Sequence, residues 1–284
     1  MKISEALQRG TLELLNAGID EAKEECERIL MKLMDCSRSQ LYLEPGQAMD
    51  NTVQESFWEI LESRKRRIPL AYLLREAHFG KETLYVDKRC LIPRPETEIL
   101  VEQVLKTIKM SGKEIFSFLD IGTGSGAIAV AILRACEGAR GTLLDASGEA
   151  LEVTRENIAA YRLRERARLV QGDLFGGFSE AEKWDLIVSN PPYLAAADWE
   201  NVQEELKFEP RQALDGGKDG LDFYRKIIAG AKRHLLDGGT LALEVGLGQA
   251  EQVSKWLRNE GYDNIQRFRD YSGIERVIIA IKAN

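Results

Sequence analysis

The stretch Phe118-Leu119-Asp120-Ile121-Gly122-Thr123-Gly124-Ser125-Gly126-Ala127-Ile128-Ala129-Val130-Ala131-Ile132-Leu133 decides the fold. Its first residues are apolar and suited to a buried strand. Gly122, Gly124 and Gly126 then alternate with small polar residues, and an alanine-rich apolar run of helical character follows. A strand, a glycine loop and a helix open a nucleotide-binding crossover, in which glycine lets the chain turn tightly and pass close to a ligand. The loop alone leaves its ligand open. Gly122, Gly124 and Ala127 also fit the dinucleotide fingerprint G-x-G-x-x-A, and a plain tight turn would use the same residues.

Outward from the loop, strand-like and helical runs alternate. Candidate strands cover residues 115–121, 141–145, 167–171, 184–189, 240–245, 265–269 and 275–281. Apolar strands separated by helices imply a parallel sheet covered on both faces. Only the short Asp270-Tyr271-Ser272-Gly273 turn joins the last two strands, so they should form an antiparallel hairpin. The expected fold class is α/β: a Rossmann-like, mostly parallel sheet with a C-terminal antiparallel hairpin. A small N-terminal helical bundle should precede it.

That bundle is read from residues 1–70. Leu7, Thr11, Leu14 and Leu15 share one helix face behind a possible cap at Ser4, and Gly18 should stop that helix. Ala22, Cys26, Ile29, Leu30 and Leu33 form a second stripe. Ser37-Arg38-Ser39-Gln40 is a capping box, and Val53, Phe57, Ile60 and Leu61 mark a further helix. Residues 71–98 read as a β-hairpin linker, with short runs at 83–86 and 89–92. Its end, Pro93-Arg94-Pro95-Glu96-Thr97-Glu98, should be extended up to Pro95. Residues 99–284 would form the catalytic domain.

The 284 residues carry a formal net charge of −7, with four cysteines and two histidines. No two cysteines form a C-x-x-C pair, so neither a disulfide framework nor a zinc cage is expected, and no metal site is assigned. The negative balance argues against binding a long duplex. No run approaches the ~18 apolar residues of a membrane span, and the N-terminal residues lack the apolar stretch of a signal peptide. A cytoplasmic monomer is expected, without membrane or direct nucleic-acid contact. The basic run Arg64-Lys65-Arg66-Arg67 reads as a solvated helix end complementing the dipole, with docking of an anionic partner as the alternative.

Asp145 ends the second strand, where a carboxylate can accept both hydroxyls of a ribose. Asp120, just before the loop, could receive an ammonium. A dinucleotide has no use for that charge, so the pair tilts the ligand towards S-adenosylmethionine, with S-adenosylhomocysteine as product. Asp173 is placed to reach the adenine edge, with Leu174 as an apolar wall.

The fourth strand ends in Asn190-Pro191-Pro192-Tyr193. Proline cannot continue a ladder, so this turn should face the crevice at the strand ends. An amide or aryl-amine nitrogen is a weak nucleophile because its lone pair is delocalised. Methyl transfer to it needs orientation more than acid–base chemistry. The Asn190 oxygen and the Pro191 carbonyl can accept both protons of an NH₂ group and stabilise the developing positive charge. Tyr193 offers a flat face. A stiff Pro-Pro turn without function remains the plain alternative.

Taken with these motifs, the chain resembles the peptide-chain-release-factor glutamine methyltransferases of the HemK type. The resemblance rests on Pro69-Leu70-Ala71-Tyr72-Leu73, Phe79-Gly80, Leu91-Ile92-Pro93-Arg94-Pro95-Glu96-Thr97-Glu98, the glycine loop and Asn190-Pro191-Pro192-Tyr193. Phe208-Glu209-Pro210, residues 216–221 and Arg269-Asp270-Tyr271 extend it. The resemblance implies that the acceptor is the glutamine in the Gly-Gly-Gln loop of class 1 release factors, and that the N-terminal helices dock that partner. It implies cofactor contacts at Gly122, Thr123, Gly124, Ser125, Gly126, Asp145, Leu174 and Asn190, beside Asp120 and Asp173. Asn190, Pro191, Pro192 and Tyr193 would meet the glutamine. One departure is Ala146, where the family often carries a larger apolar residue.

Other readings are methylation of a ribosomal-protein glutamine or of a nucleobase amino group, a nicotinamide oxidoreductase, and a non-catalytic binding module. The acidic charge opposes the nucleobase, which needs a duplex-binding surface. The intact Asn190-Pro191-Pro192-Tyr193 turn opposes the binding module.

Overall fold

The computed structural model describes residues 1–283. They form two compact units. One comprises residues 1–76 with the segment 203–208, and the other comprises the remaining described residues.

The smaller unit is helical: α1 (Ile3–Asn16), α2 (Ala22–Met34), α3 (Arg38–Leu43), α4 (Asn51–Lys65) and α5 (Leu70–Leu74). Its core joins Ala6 and Leu14 of α1, Cys26, Ile29 and Leu30 of α2, and Phe57 and Leu61 of α4. Gly10 permits the close helix contact, because a Cβ there would lie 2.8 Å from Phe57 Cζ. Ser37 and Gln40 form the capping box at α3. At α1 the expected Ser4 cap is corrected: the helix begins at Ile3, and Glu5 accepts from the Lys2 N–H. The N–H groups of Ile3 and Ser4 donate to the Gln47 and Pro45 carbonyls, so no hydroxyl cap is required.

The basic run also departs from expectation. Arg64 is buried, because it faces Glu25 and the 203–208 segment instead of water. Its guanidinium makes two bonds to Glu25 (2.7 and 3.2 Å) and one to Glu205 (2.9 Å). Arg67 donates to Glu205 and to the carbonyls that end α1, while Lys65 pairs with Glu13 and Glu62. Residues 70–74 are helical, and Leu70 and Leu74 are buried in this core.

The larger unit opens with a hairpin of β1 (Ala77–Phe79) and β2 (Glu82–Leu84), which lies earlier than the expected 83–92 pairing. Residues 89–92 form no strand. The Asp87 carboxylate accepts from the Arg89 backbone and side chain, which turns the chain there. Helix α6 (Pro95–Ser111) starts with proline in its first turn, where a missing N–H costs nothing.

The remaining elements are β3 (Phe116–Ile121), α7 (Ala127–Ala135), β4 (Ala139–Asp145), α8 (Gly148–Ala160), β5 (Ala167–Gln171), β6 (Trp184–Ser189), α9 (Asp222–His234), β7 (Leu235–Glu244), α10 (Ala250–Asn259), β8 (Tyr262–Arg269) and β9 (Glu275–Lys282). The sheet order is β5-β4-β3-β6-β7-β9-β8. Strands β5 to β7 are parallel, and β9 lies antiparallel between β7 and β8. Alternation along the strands sorts the core. Phe118, Val188, Ala242 and Ile279 pack on the face covered by α6 and α7, whereas Leu119, Ile187, Leu241 and Ile278 meet α9 and α10. The chain order reverses between β3 and β6, which leaves a crevice at their carboxyl ends.

Candidate active site

A cavity of about 260 Å³ occupies that crevice. Gly122 and Gly124 border it from the end of β3, Asp145 and Ala146 from β4, and Asn190, Pro191 and Pro192 from β6. Asp173 and Leu174, Leu91, and Pro210 with Gln212 complete the wall.

The loop has left-handed backbone at Gly122 (φ 72°), Gly124 (φ 57°) and Gly126 (φ 82°). Leu144 O accepts from the N–H groups of Gly122 and Thr123, and Asp145 Oδ2 accepts from Gly124 N at 2.9 Å. Asp145 Oδ1 accepts from Ser147 N. Each carboxylate oxygen keeps a lone pair for a ligand hydroxyl. Burial raises the Asp145 pKa, and these backbone bonds oppose the rise.

Asp120, Thr123, Ser125 and Gly126 do not line the cavity. Asp120 is fully buried and accepts from Thr123 Oγ1 at 2.8 Å, while its Oδ1 has no partner. Burial, the main cause, and the Asp145 charge lift its pKa to about 7 against the Thr123 bond. It is buried beneath the loop and does not border the cavity. Two residues that sequence reasoning missed also hold the loop. Thr154 donates to Gly124 O, and the buried Asn157 bridges Ser125 O and Tyr85 O. Their only sequence signal was polar character on the otherwise apolar inner face of a helix.

Asn190 Nδ2 donates to Thr97 Oγ1 at 3.0 Å. Among the described residues nothing donates to Asn190 Oδ1 or to the Pro191 carbonyl. Two acceptors therefore stand free at one corner of the cavity, beside the glycine loop. Tyr193 is not part of the wall, which corrects its expected role as a flat face. Its ring packs against the core on the α9 side, its carbonyl accepts from Gln249, and burial pushes its phenol up to about 12.

The chain is 37% identical over 270 residues to the release factor glutamine methyltransferase of Caulobacter vibrioides, covering 95% of this chain and 92% of that one. It is 32% identical to the protein of the same name from Clostridium acetobutylicum, with 99% of both chains covered.

The chain belongs to the release factor glutamine methyltransferase family.

Two family models match, a PrmC N-terminal domain over residues 5–74 and a methyltransferase small domain over residues 95–254. In fold the chain is similar to a methyltransferase from Pyrococcus furiosus, with TM-score 0.55 and 22% identity over 78% of this chain and 100% of that one. It is also similar to the T. thermophilus 16S rRNA methyltransferase RsmC, whose crystal structure contains AdoMet and guanosine, with TM-score 0.52 and 17% identity over 73% of this chain and 49% of that one. As a member of the release factor glutamine methyltransferase family, the chain is an enzyme that methylates. Among the described residues, no helix is long and apolar enough to cross a membrane.

The cavity fits the methyl donor that such an enzyme needs. A Cβ on Gly122 would meet nothing within 4 Å, so the loop leaves open space beside the cavity. Asp145 and Asp173 supply acceptors, and Leu174, Ile227 and Phe223 supply apolar wall.

Proposed function

We propose that the chain transfers a methyl group from S-adenosylmethionine to the side-chain amide nitrogen of the glutamine in the Gly-Gly-Gln motif of class 1 peptide chain release factors. The observation that carries this reading is the pair of free acceptors, Asn190 Oδ1 and the Pro191 carbonyl, at one corner of the cavity. S-adenosylmethionine, when bound, supplies an electrophilic methyl group. Asp145 would accept its ribose hydroxyls, Asp173 and Leu174 would meet its adenine, and the glycine loop would pass its tail.

The two acceptors take both N–H protons of the glutamine amide. That holds the planar group in one orientation and aims the nitrogen at the methyl position. Their partial negative charge stabilises the positive charge that develops on nitrogen. Pro191 and Pro192 stiffen the turn, so the carbonyl keeps its direction. Neither His78 nor His234 borders the cavity, so the proton released after transfer leaves to water or to a neighbouring acceptor.

The names of the full-length relatives support the release factor as substrate. The helical unit, residues 1–76 with 203–208, is proposed to dock that partner. The test incubates the enzyme and labelled S-adenosylmethionine with a release factor and with its Gly-Gly-Gln glutamine variant. Label on the first alone is expected. Equal label on both would overturn the assignment.

A further inference from the structure

Asn190 does not set its own orientation. Its Nδ2 donates to Thr97 Oγ1 at 3.0 Å, and Thr97 Oγ1 donates to Glu244 Oε2 at 2.6 Å. Thr97 lies in the first turn of α6, Glu244 ends β7, and Asn190 follows β6. Both supporting residues are buried, Thr97 at 4% and Glu244 at 1% exposure. Such placement is costly for a carboxylate and marks a group with a fixed task.

The direction of this row follows from counting protons. An ionised carboxylate only accepts, and a hydroxyl has one proton to give. With Glu244 ionised, the Thr97 proton must point at Glu244. The Thr97 lone pair then takes an N–H, which only the nitrogen end of the Asn190 amide can supply. The amide oxygen is left for the cavity. A row running the other way would present the Asn190 NH₂ group instead.

We propose that Thr97 and Glu244 are positioning residues that commit Asn190 to act as an acceptor, and thereby select a substrate side chain bearing NH₂ over one bearing only acceptors. The enzyme would thus prefer glutamine to glutamate through the polarity of this row. A site built to receive N–H groups rejects an analogue that lacks them, because its own polar groups are left unpaired. The inference rests on the proposed role of Asn190 as holder of the glutamine amide.

The row also has a proton dependence. Burial lifts the Glu244 pKa to about 7, the Thr97 bond opposes this, Glu96 adds to it, and Arg276 and Arg94 oppose it. Tyr193 and Tyr224 also face the carboxylate, and the Tyr224 hydroxyl donates to the Glu244 carbonyl. A protonated Glu244 can donate to Thr97, which frees the Thr97 proton for Asn190 Oδ1 and releases the row from one direction. Turnover should therefore rise with pH as Glu244 ionises.

The experiment measures methyl transfer to a Gly-Gly-Gln peptide, with the Gly-Gly-Glu peptide as inhibitor, across the neutral pH range. It compares the full-length wild type with Thr97→Val, Thr97→Ser and Glu244→Gln. Thr97→Val should lower kcat by about tenfold to a hundredfold. KM for S-adenosylmethionine should stay near the wild-type value, inhibition by the glutamate peptide should strengthen, and the rising pH limb should vanish. Glu244→Gln, whose amide can either give or accept, should fall between. Thr97→Ser, which keeps the hydroxyl, should restore turnover and the glutamine preference. Wild-type kcat and preference in Thr97→Val, or equal damage in Thr97→Ser, would overturn the inference while leaving the glutamine reading intact. A wild type that methylates no Gly-Gly-Gln peptide would overturn both.

Discussion

Replacing Arg64 by leucine should destabilise the helical unit severely. The Arg64 side chain is 8% exposed and the Glu25 side chain 10% exposed, and two bonds join them. Burial works against the Arg64 charge, yet the bonds to Glu25 and Glu205 outweigh it and leave its pKa raised. Removing the guanidinium strands Glu25 in a poorly hydrated place, while Glu205 keeps Arg67 at 3.2 Å. Breaking one partner of a buried pair costs about 3–5 kcal/mol. A domain of this size class loses about 4–8 °C per kcal/mol, so Tm should drop by more than about 10 °C. Urea and thermal unfolding followed by circular dichroism would measure it. The combined Arg64→Leu and Glu25→Leu variant should recover most of the loss, since an apolar pair needs no partner charge. A loss under about 1 kcal/mol, as for an exposed pair, would refute the reasoning. So would a double variant as unstable as the single one.

Asn190→Ala removes one of two acceptors and should lower kcat by about 10²–10³, with a small change in cofactor affinity; steady-state kinetics and calorimetry separate the two. Gly126→Ala should cost about 1 kcal/mol or more in unfolding free energy, because φ is 82° and the new Cβ would lie 3.1 Å from Thr154 Cγ2. Asp120 has a folded-state pKa above its unfolded value, so the folded state binds the extra proton. Its contribution to stability is full below the unfolded pKa near 3.8 and is lost as pH rises through about 7. Asp120→Asn should therefore stabilise the protein more at about pH 8 than at about pH 5 in urea titrations. S-adenosylhomocysteine at a hundredfold over its Kd should add about 2.7 kcal/mol to stability, and NAD at the same concentration should leave Tm unchanged.

Much of the fold was legible because its signals are local. The loop from Gly122 to Gly126 needs left-handed backbone, and strand alternation sorted Phe118 and Leu119 to opposite faces. The ends of β3, β4 and β6 brought Gly122, Asp145 and Asn190 to one cavity, as the crossover pattern implied. What stayed hidden depends on long-range partners. Thr97 reaches Asn190 and Glu244 across the chain, and no spacing rule links them. Arg64 looked like a solvated basic run because Glu25 and Glu205 are distant in sequence. Asp120 and Tyr193 pack into the core and do not line the cavity, and burial of that kind depends on neighbours distant in sequence.

The most direct measurement of the central claim locates the transferred methyl group. A class 1 release factor treated with S-adenosylmethionine and the wild-type enzyme, or with Asn190→Ala, is digested and its fragments are analysed by tandem mass spectrometry. One added methyl on the side-chain amide of the Gly-Gly-Gln glutamine is predicted for the wild type, and almost none for Asn190→Ala at equal times. Methylation at another residue, or an equal rate with Asn190→Ala, would contradict the account.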